Sequence, residues 1–313
     1  MQPGTESEIR VGGLRFYLSY MAKDKPALAG MVIVAIFLIW AFIEWVMQEL
    51  GAVLGKPSLG YALLPSNPIA LNFNEKLLPP SLSHFPLFIM GTNFQGQSIL
   101  SQILFAAPHD AIASILIVGS AIVFGMLFGT TAGFVGGWTD EAIMRITDAF
   151  LSLPGLVLAI TVSVILGVNG SSGFVSVLVA LTIIWWPTYA RFFRAQALAI
   201  RNTAYVESSR LSGSGRIRIL LRHIIPNSID PIVAYATLDL GTVILTYATL
   251  AFLGIGLDIN YPEWGAISSQ GLGFFPVDWW WAIMPGIVIT VVVVAFTLVG
   301  DRLQDLVVGR MTY

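Results

Sequence analysis

Six long, nearly continuous apolar runs punctuate this chain, with polar segments between them. They cover residues 27–47, 111–137, 149–168, 173–190, 232–257 and 279–300. A bilayer's hydrocarbon core is about 30 Å thick and takes roughly 20 apolar residues to cross as a helix. Hydrocarbon offers no water to backbone N–H and C=O groups, so a single segment crosses it as a helix that satisfies them internally. The pattern predicts an all-α membrane protein with six transmembrane helices. The first run follows a polar, basic stretch without a small-residue cleavage site, so it reads as a retained span rather than a signal peptide. The predicted division is a tail over 1–26, a first span over 27–47, an extracytoplasmic segment over 48–110, a five-helix core over 111–301 and a tail over 302–313. The core includes a polar loop over 203–224.

The gaps between runs differ in character. The 48–110 segment is rich in turn formers, among them Pro65, Asn67, Pro68, Asn72, Asn74, Pro79, Pro80 and Pro86. Its end, over 93–105, predicts an amphipathic helix leading into the second span. Within that span Gly125, Gly129 and Gly133 recur every four residues. Such a strip lets another backbone come close, within this chain or from another. Pro154, Pro187 and Pro285 lie in or at the ends of runs and predict kinks. Gly254-Ile255-Gly256-Leu257 closes the fifth run, and Trp279-Trp280-Trp281 opens the sixth, as interface anchors or as the lining of a solute entrance.

Composition agrees with the pattern. Mean hydropathy is +0.80, and charged residues make up 11% of the chain where a soluble domain carries about 25%. Net charge, at −2, decides little, but its distribution does. Of the 16 Lys and Arg residues, all but Lys56 and Lys76 fall in tails and loops on one side of the predicted topology. Basic residues accumulate on the cytoplasmic side, so both termini are predicted inside. The chain has no cysteine, which removes disulfide and thiol chemistry.

Candidate catalytic chemistry is sparse. His84, His109 and His223 lack metal-ligand spacing. Residues 51–56 only echo a phosphate-binding loop, with the wrong spacing and a proline after the lysine. No Gly-x-Ser-x-Gly elbow is present, and nothing points to nucleic acid. Asn169-Gly170-Ser171 fits a glycosylation acceptor on the outer side. Asp239 falls inside the fifth run, close after Tyr235 and Thr237. A carboxylate there costs about 2.5–3.5 kcal/mol to insert, so it either faces a polar pathway with Tyr235 or bonds to a neighbouring helix. Glu44, near the outer end of the first run, reads as reaching the interface.

The polar loop carries the strongest signal. It reads Tyr205-Val206-Glu207-Ser208-Ser209-Arg210-Leu211-Ser212-Gly213 and runs on to His223-Ile224-Ile225-Pro226-Asn227. It is too polar to span, and its helix formers, central glycine and closing proline are not those of a floppy linker. A short helix here could dock into a groove on a soluble partner, with Glu207 offered to an Arg or Lys, small Ser208 and Ser209 allowing close approach, and Gly213 permitting a sharp turn. Arg216, Arg218 and Arg222 suit contact with anionic lipid or with that partner.

This loop resembles the EAA loop in the membrane subunits of ATP-driven importers. Other segments are similar to the second permease subunit of dipeptide and oligopeptide importers. They are Gly91-Thr92-Asn93-Phe94-Gln95-Gly96-Gln97-Ser98, Gly133-Phe134-Val135-Gly136-Gly137-Trp138-Thr139-Asp140, Met144-Arg145-Ile146-Thr147-Asp148, Trp186-Pro187-Thr188-Tyr189-Ala190-Arg191 with Arg194, Leu250-Ala251-Phe252-Leu253-Gly254-Ile255-Gly256, Pro262-Glu263-Trp264-Gly265, Pro285-Gly286 and Gly300-Asp301-Arg302-Leu303-Gln304-Asp305. The resemblance covers roughly residues 91–310. Ser208-Ser209 stand where the family has Ala-Ala, Leu211-Ser212 where it has Ala-Leu, and Asn93, Gln95 and Gln97 in a more charged outer signature.

The resemblance implies a permease subunit of an ATP-binding-cassette importer in a prokaryotic plasma membrane. It implies a heterodimer with a second permease, two cytoplasmic ATPase subunits that bind ATP and Mg, and an external solute-binding protein, with membrane lipid around the spans. This chain would hold no cofactor and hydrolyse nothing. The solute class it implies is a short peptide, a di- or oligosaccharide, or nickel. The rival reading is an ion-gradient-driven secondary transporter, which calls for paired intramembrane carboxylates or broken helices around an ion site.

Overall fold

The computed structural model describes residues 20–21, 23–82, 85–168, 173–256 and 262–307. The Asn169 acceptor, His84, the end of the fifth apolar run, residues 1–19 and 22 of the first tail and residues 308–313 of the second lie outside these residues. The described chain is helical: α1 (Lys25–Val53), α2 (Ile99–Val135), α3 (Gly137–Leu151), α4 (Gly155–Val168), α5 (Gly173–Ile200), α6 (Ala204–Leu211), α7 (Arg216–Ile219), α8 (Ile225–Phe252), α9 (Trp264–Gly271) and α10 (Trp279–Val307). Helices α1, α2, α5 and α10, with residues Pro231–Phe252 of α8, are long and apolar enough to cross a membrane. The bent pair of α3 and α4 makes a sixth crossing if it counts as one.

That third crossing departs from the expectation of a single helix over 149–168. The chain turns by 91° between α3 and α4. Pro154, with no N–H to donate, stands in the break and leads into α4. Helix α4 has 14 residues and so reaches only about 21 Å at 1.5 Å per residue. Helix α3 is amphipathic, with Thr147 as its buried residue.

The second helix also starts differently. Residues 93–98 form a turn, not the first part of an amphipathic helix. Gly96 has a φ of 76°, a left-handed value that ends helical continuation, and Thr92 and Ser98 pair across the turn. Ser98 then caps α2, its Oγ accepting from the Ser101 N–H at 3.4 Å. From there α2 runs 37 residues, about 55 Å at the helical rise.

The rest of the 54–98 segment folds back over this end of the bundle through hydrogen bonds that carry no charge. Asn93 and Gln102 each donate a side-chain N–H to Gln97 Oε1 at 2.8 Å, and Gln97 donates to Ile69 O. The three amides lie buried. Trp280 of α10 donates its indole N–H to Thr92 O at 3.2 Å. The positions where this chain lacks the family's outer charges therefore hold a neutral network.

Glu44 corrects its reading as an interfacial residue: it is completely buried. Helix α1 turns it towards α2, where Gln48 donates to Glu44 Oε1 at 3.1 Å and to Phe105 O at 3.0 Å.

The helices meet in three apolar clusters. Phe37, Ile103, Trp264 and Phe296 join α1, α2, α9 and α10. Ile117, Val177, Tyr189, Phe193 and Val243 join α2, α5 and α8, with Ala159 of α4. Ala197, Ile200, Val206, Ile219 and Ile224 form a smaller cluster at the other end. The glycine strip serves the second. A Cβ at Gly125 or Gly129 would collide with the α5 backbone around Tyr189 and Ala190, and one at Gly133 would come within 2.6 Å of Arg194 O. The strip is thus filled from within the chain.

Gly129→Val should lower the permease's melting temperature in detergent by forcing α2 off α5, at an overpacking cost of about 1–3 kcal/mol. Gly119, on the same helix, has open space around its Cβ position, and Gly119→Ala should leave the melt unchanged or raise it slightly. Equal melts for Gly129→Val and wild type would contradict the seam.

Candidate functional site

Helix α5 continues ten residues past its apolar run, and two arginines on this extension, with Arg201 directly after it, organise one end of the bundle. Arg194 makes a two-pronged pair with Asp140 of α3, at 2.5 and 2.7 Å. Arg191 reaches Asp148 of the same helix at 2.6 Å. Fork-on-carboxylate geometry fixes orientation as well as distance, so α3 is clipped across α5. Arg201 donates to Gly133 O at 2.8 Å, closing an otherwise unpaired carbonyl near the end of α2.

Beyond Arg201 the chain turns into α6. Thr203 is extended at its N-cap, and the helix ends after eight residues. The stop has a plain cause. Gly213 has a φ of 80°, its N–H bonds to Arg210 O, and the Ser214 N–H bonds back to Ser209 O. This pair of bonds around a left-handed glycine is a Schellman closure. A Cβ at Gly213 would meet nothing within 4 Å, so the demand for glycine comes from the backbone angle alone.

One face of α6 is anchored. Val206 is fully buried in the small cluster with Ala197, Ile200, Ile219 and Ile224. The Arg210 guanidinium lies 5.8 Å from the centre of the Phe134 ring. Ser209 Oγ sits 3.4 Å from His223 Nε2, and the Tyr205 and His223 rings are 6.0 Å apart. These contacts tie α6 to the ends of α2 and α5 and to the turn that opens α8. Tyr205 and Arg210 stay largely exposed while making these contacts, and the face with Glu207 and Ser208 is bare. Leu211 is 84% exposed, Ile217 74% and Leu221 61%. The sequence motif had marked Leu211 only as a departure from the family and had passed over Ile217 and Leu221. Apolar residues in a short polar helix were the available signal.

The second candidate group lies in the spans. Asp239 of α8 is buried near the Trp185 indole and the Tyr189 hydroxyl of α5, and its Oδ2 and the Tyr189 hydroxyl find no hydrogen-bond partner among the described residues. Tyr235, one turn away, stacks near Phe192, with ring centres 4.4 Å apart, and meets Tyr189 at 5.6 Å. A cavity of about 370 Å³ is lined by Phe192, Gln196, Pro231, Ile232, Tyr235 and Gln304 among others. Tyr235 is in its wall and Asp239 is not.

The model of the binding-protein-dependent transport system inner membrane component family matches residues 121–313. The chain belongs to that family. The probable D,D-dipeptide transport system permease protein DdpC of Escherichia coli (strain K12) is 32% identical over 96% of this chain and 93% of its own length. The dipeptide transport system permease protein DppC of Alkalihalophilus pseudofirmus is 31% identical over 99% and 94%. A chain of the MetNI methionine ABC transporter in an inward-facing conformation superposes with a TM-score of 0.47 at 21% identity, over 63% of this chain and 93% of that one.

The protein is thus a multi-pass membrane permease of the ATP-binding-cassette importer type, and the secondary-transporter reading falls away. In this permease the family match takes in α3 to α10 and the last part of α2. Among the described residues no group of three or more His, Cys, Asp or Glu could hold a metal ion. His109 packs edge-on to Phe174, and His223 packs by Tyr205.

Proposed function

We propose that this permease forms half of a translocation pathway for a short peptide, opened and closed by two ATPase subunits that dock on α6. The observation that carries the reading is the two-faced geometry of α6. Its buried face is tied to α2, α5 and α8, and its bare face offers Glu207, Ser208 and Leu211. A soluble partner gripping that face would move the ends of three helices together. ATP and Mg belong to the partner, because the role assigned to this chain is mechanical. Each ligand biases the pathway only through its different affinity for the two conformations.

A second permease subunit completes the pathway, and an external solute-binding protein delivers the solute. Peptide is favoured by the descriptions of the relatives, and the saccharide alternative has no such support. Asp239 and Tyr235 act beside the pathway or pair with a basic group of the second permease. Both termini and α6 face the cytoplasm, on the basic side of the charge asymmetry, and the 54–98 segment faces outward.

Gly213→Val tests the coupling. The left-handed angle costs a side chain about 1–2 kcal/mol, and no core contact is touched, so the permease should still insert and fold, with a melting temperature only slightly below wild type. Recovery of ATPase subunits on purification should drop severalfold. Full recovery with wild-type transport would refute the role of α6.

Asp239→Asn separates the two roles of that residue. A pathway role predicts normal yield of the complex with altered peptide uptake per complex. A cross-subunit ion pair predicts poor assembly, since a buried charge is stranded. If both yield and uptake stay normal, neither role stands.

Orientation is read by a single cysteine at Ser81, which has no competing thiol. An impermeant maleimide should label it from outside in intact cells. Labelling only after the cytoplasm is opened would invert the topology.

A further inference from the structure

Two carboxyl groups meet in the interior at the end of the bundle opposite α6. Asp110, on α2, is completely buried, and Glu263, just before α9, is 2% exposed. Their side chains lie within hydrogen-bonding distance of each other. Apart from each other they are poorly matched. Both Asp110 carboxyl oxygens and Glu263 Oε1 find no donor among the described residues. Glu263 Oε2 accepts from the Ala266 N–H at 2.9 Å as the N-cap of α9, and the Trp264 and Gly265 N–H groups also face that carboxyl.

Two buried carboxylates in contact cannot both be ionised, because each is desolvated and each repels the other. An acceptor-only pair becomes a matched pair when one member carries a proton and donates it. The surroundings decide which one. Glu263 has the helix N–H groups, which favour negative charge there. Among the described residues Asp110 has, besides Glu263, its own backbone N–H alone. Among the described residues no cation is among the groups whose charge acts on Asp110 or Glu263; of the titratable groups on the elements around them, His109 packs on Phe174, Glu44 is held by Gln48, and Tyr247 of α8 is a phenol that supplies no positive charge. Helix α10 presents tryptophans here rather than charge. Burial raises the Glu263 carboxyl above the ordinary carboxylate range, even against the pull of the helix N–H groups.

We propose that Asp110 and Glu263 are a single proton-binding site, in which un-ionised Asp110 donates to Glu263 and thereby latches α9 onto α2. The latch sits where α9 is otherwise held by neutral contacts. Trp264 donates its indole N–H to Ile103 O at 2.9 Å. Gly265 presses on the backbone of Ala248 in α8, and Gly271 lies against Ala282 in α10. Asp110 and Glu263 make the titratable joint in this set. Loss of the shared proton turns it from a hydrogen bond into two facing anions, which drives α9 away from α2. The sign follows: a proton bound more tightly in the folded state stabilises it at low pH, and that stabilisation is lost as pH rises.

The test uses the full permease in its complex and does not depend on which solute it carries. Infrared difference spectra between wild type and Asp110→Asn, taken at neutral pH, should show one un-ionised carboxylic-acid carbonyl band in wild type that is lost in the variant. The amide keeps a donor towards Glu263, so Asp110→Asn should melt like wild type at neutral pH. It should also lack the fall in melting temperature that wild type shows as pH becomes alkaline. No difference band, or parallel pH profiles, would overturn the proposal. If Asp110→Asn does not assemble, Glu263→Gln gives the second reading. The Asp110 acid band should persist but shift in frequency on losing its charged acceptor, and an absent or unshifted band would overturn the site.

Discussion

The close approach of α2 to α5 is the constraint on which the rest of this permease depends. Three glycines on α2 let the α5 backbone lie where side chains would normally stand. In a membrane, lipid tails are as apolar as the helix surfaces, so association rests on contact between atoms rather than on escape from water. Once seated, α5 delivers everything else it carries. Its middle brings Trp185 and Tyr189 to Asp239 of α8. Its lower half lays Arg191 and Arg194 across α3. Its end hands the chain to α6 at a fixed angle, because Arg201 binds the end of α2. A shift in the seam would therefore move the coupling surface and the buried carboxylate together.

Polar groups in the interior are costly to leave unmatched, and several of them find specific partners. The tryptophans show this. Trp40, Trp264 and Trp280 each donate to a backbone carbonyl of the α2 region, so large apolar bodies also serve as specific fasteners. The buried amides Asn93, Gln97 and Gln102 show it again with no net charge. The acids are harder to satisfy. Glu44 takes Gln48, Asp239 lies beside Trp185 and Tyr189 of α5, and Asp110 faces another carboxyl. That last arrangement is physically consistent only with a proton between them.

The broken third crossing shapes the mechanics. Helix α4 is too short to cross alone, and α3 lies at nearly a right angle to it. Ion pairs to α5 hold α3, and the small apolar cluster holds α6. The two peripheral helices are thus fixed to the same long helix by different chemistry, charge in one case and apolar packing in the other. Any force arriving at α6 reaches α5 directly and reaches α3 through two arginines.

Much of this was legible in the residues alone. Long apolar runs specify membrane helices because hydrocarbon leaves the backbone no other way to bond, and the polar loop with Gly213 and its neighbours declared the family. A left-handed turn at that glycine was foreseeable too, since the motif places glycine where a helix must stop. Periodicity could not show where helices begin beyond their apolar stretches: α2 starts at Ile99 because Ser98 caps it and Gly96 turns the chain. Nor could it show that 149–168 breaks at Pro154. Burial of individual acids was out of reach. Asp110 looked like the edge of an outer segment and Glu44 like an interfacial residue, because a side chain's environment depends on which helix face meets which neighbour. The sequence by itself determined the membrane class, the family and the place of the polar segment that forms α6. The tertiary structure decided the partner of the glycine seam, the clasp on α3 and the pairing of Asp110 with Glu263, since each joins residues far apart in the chain whose contact no local pattern encodes.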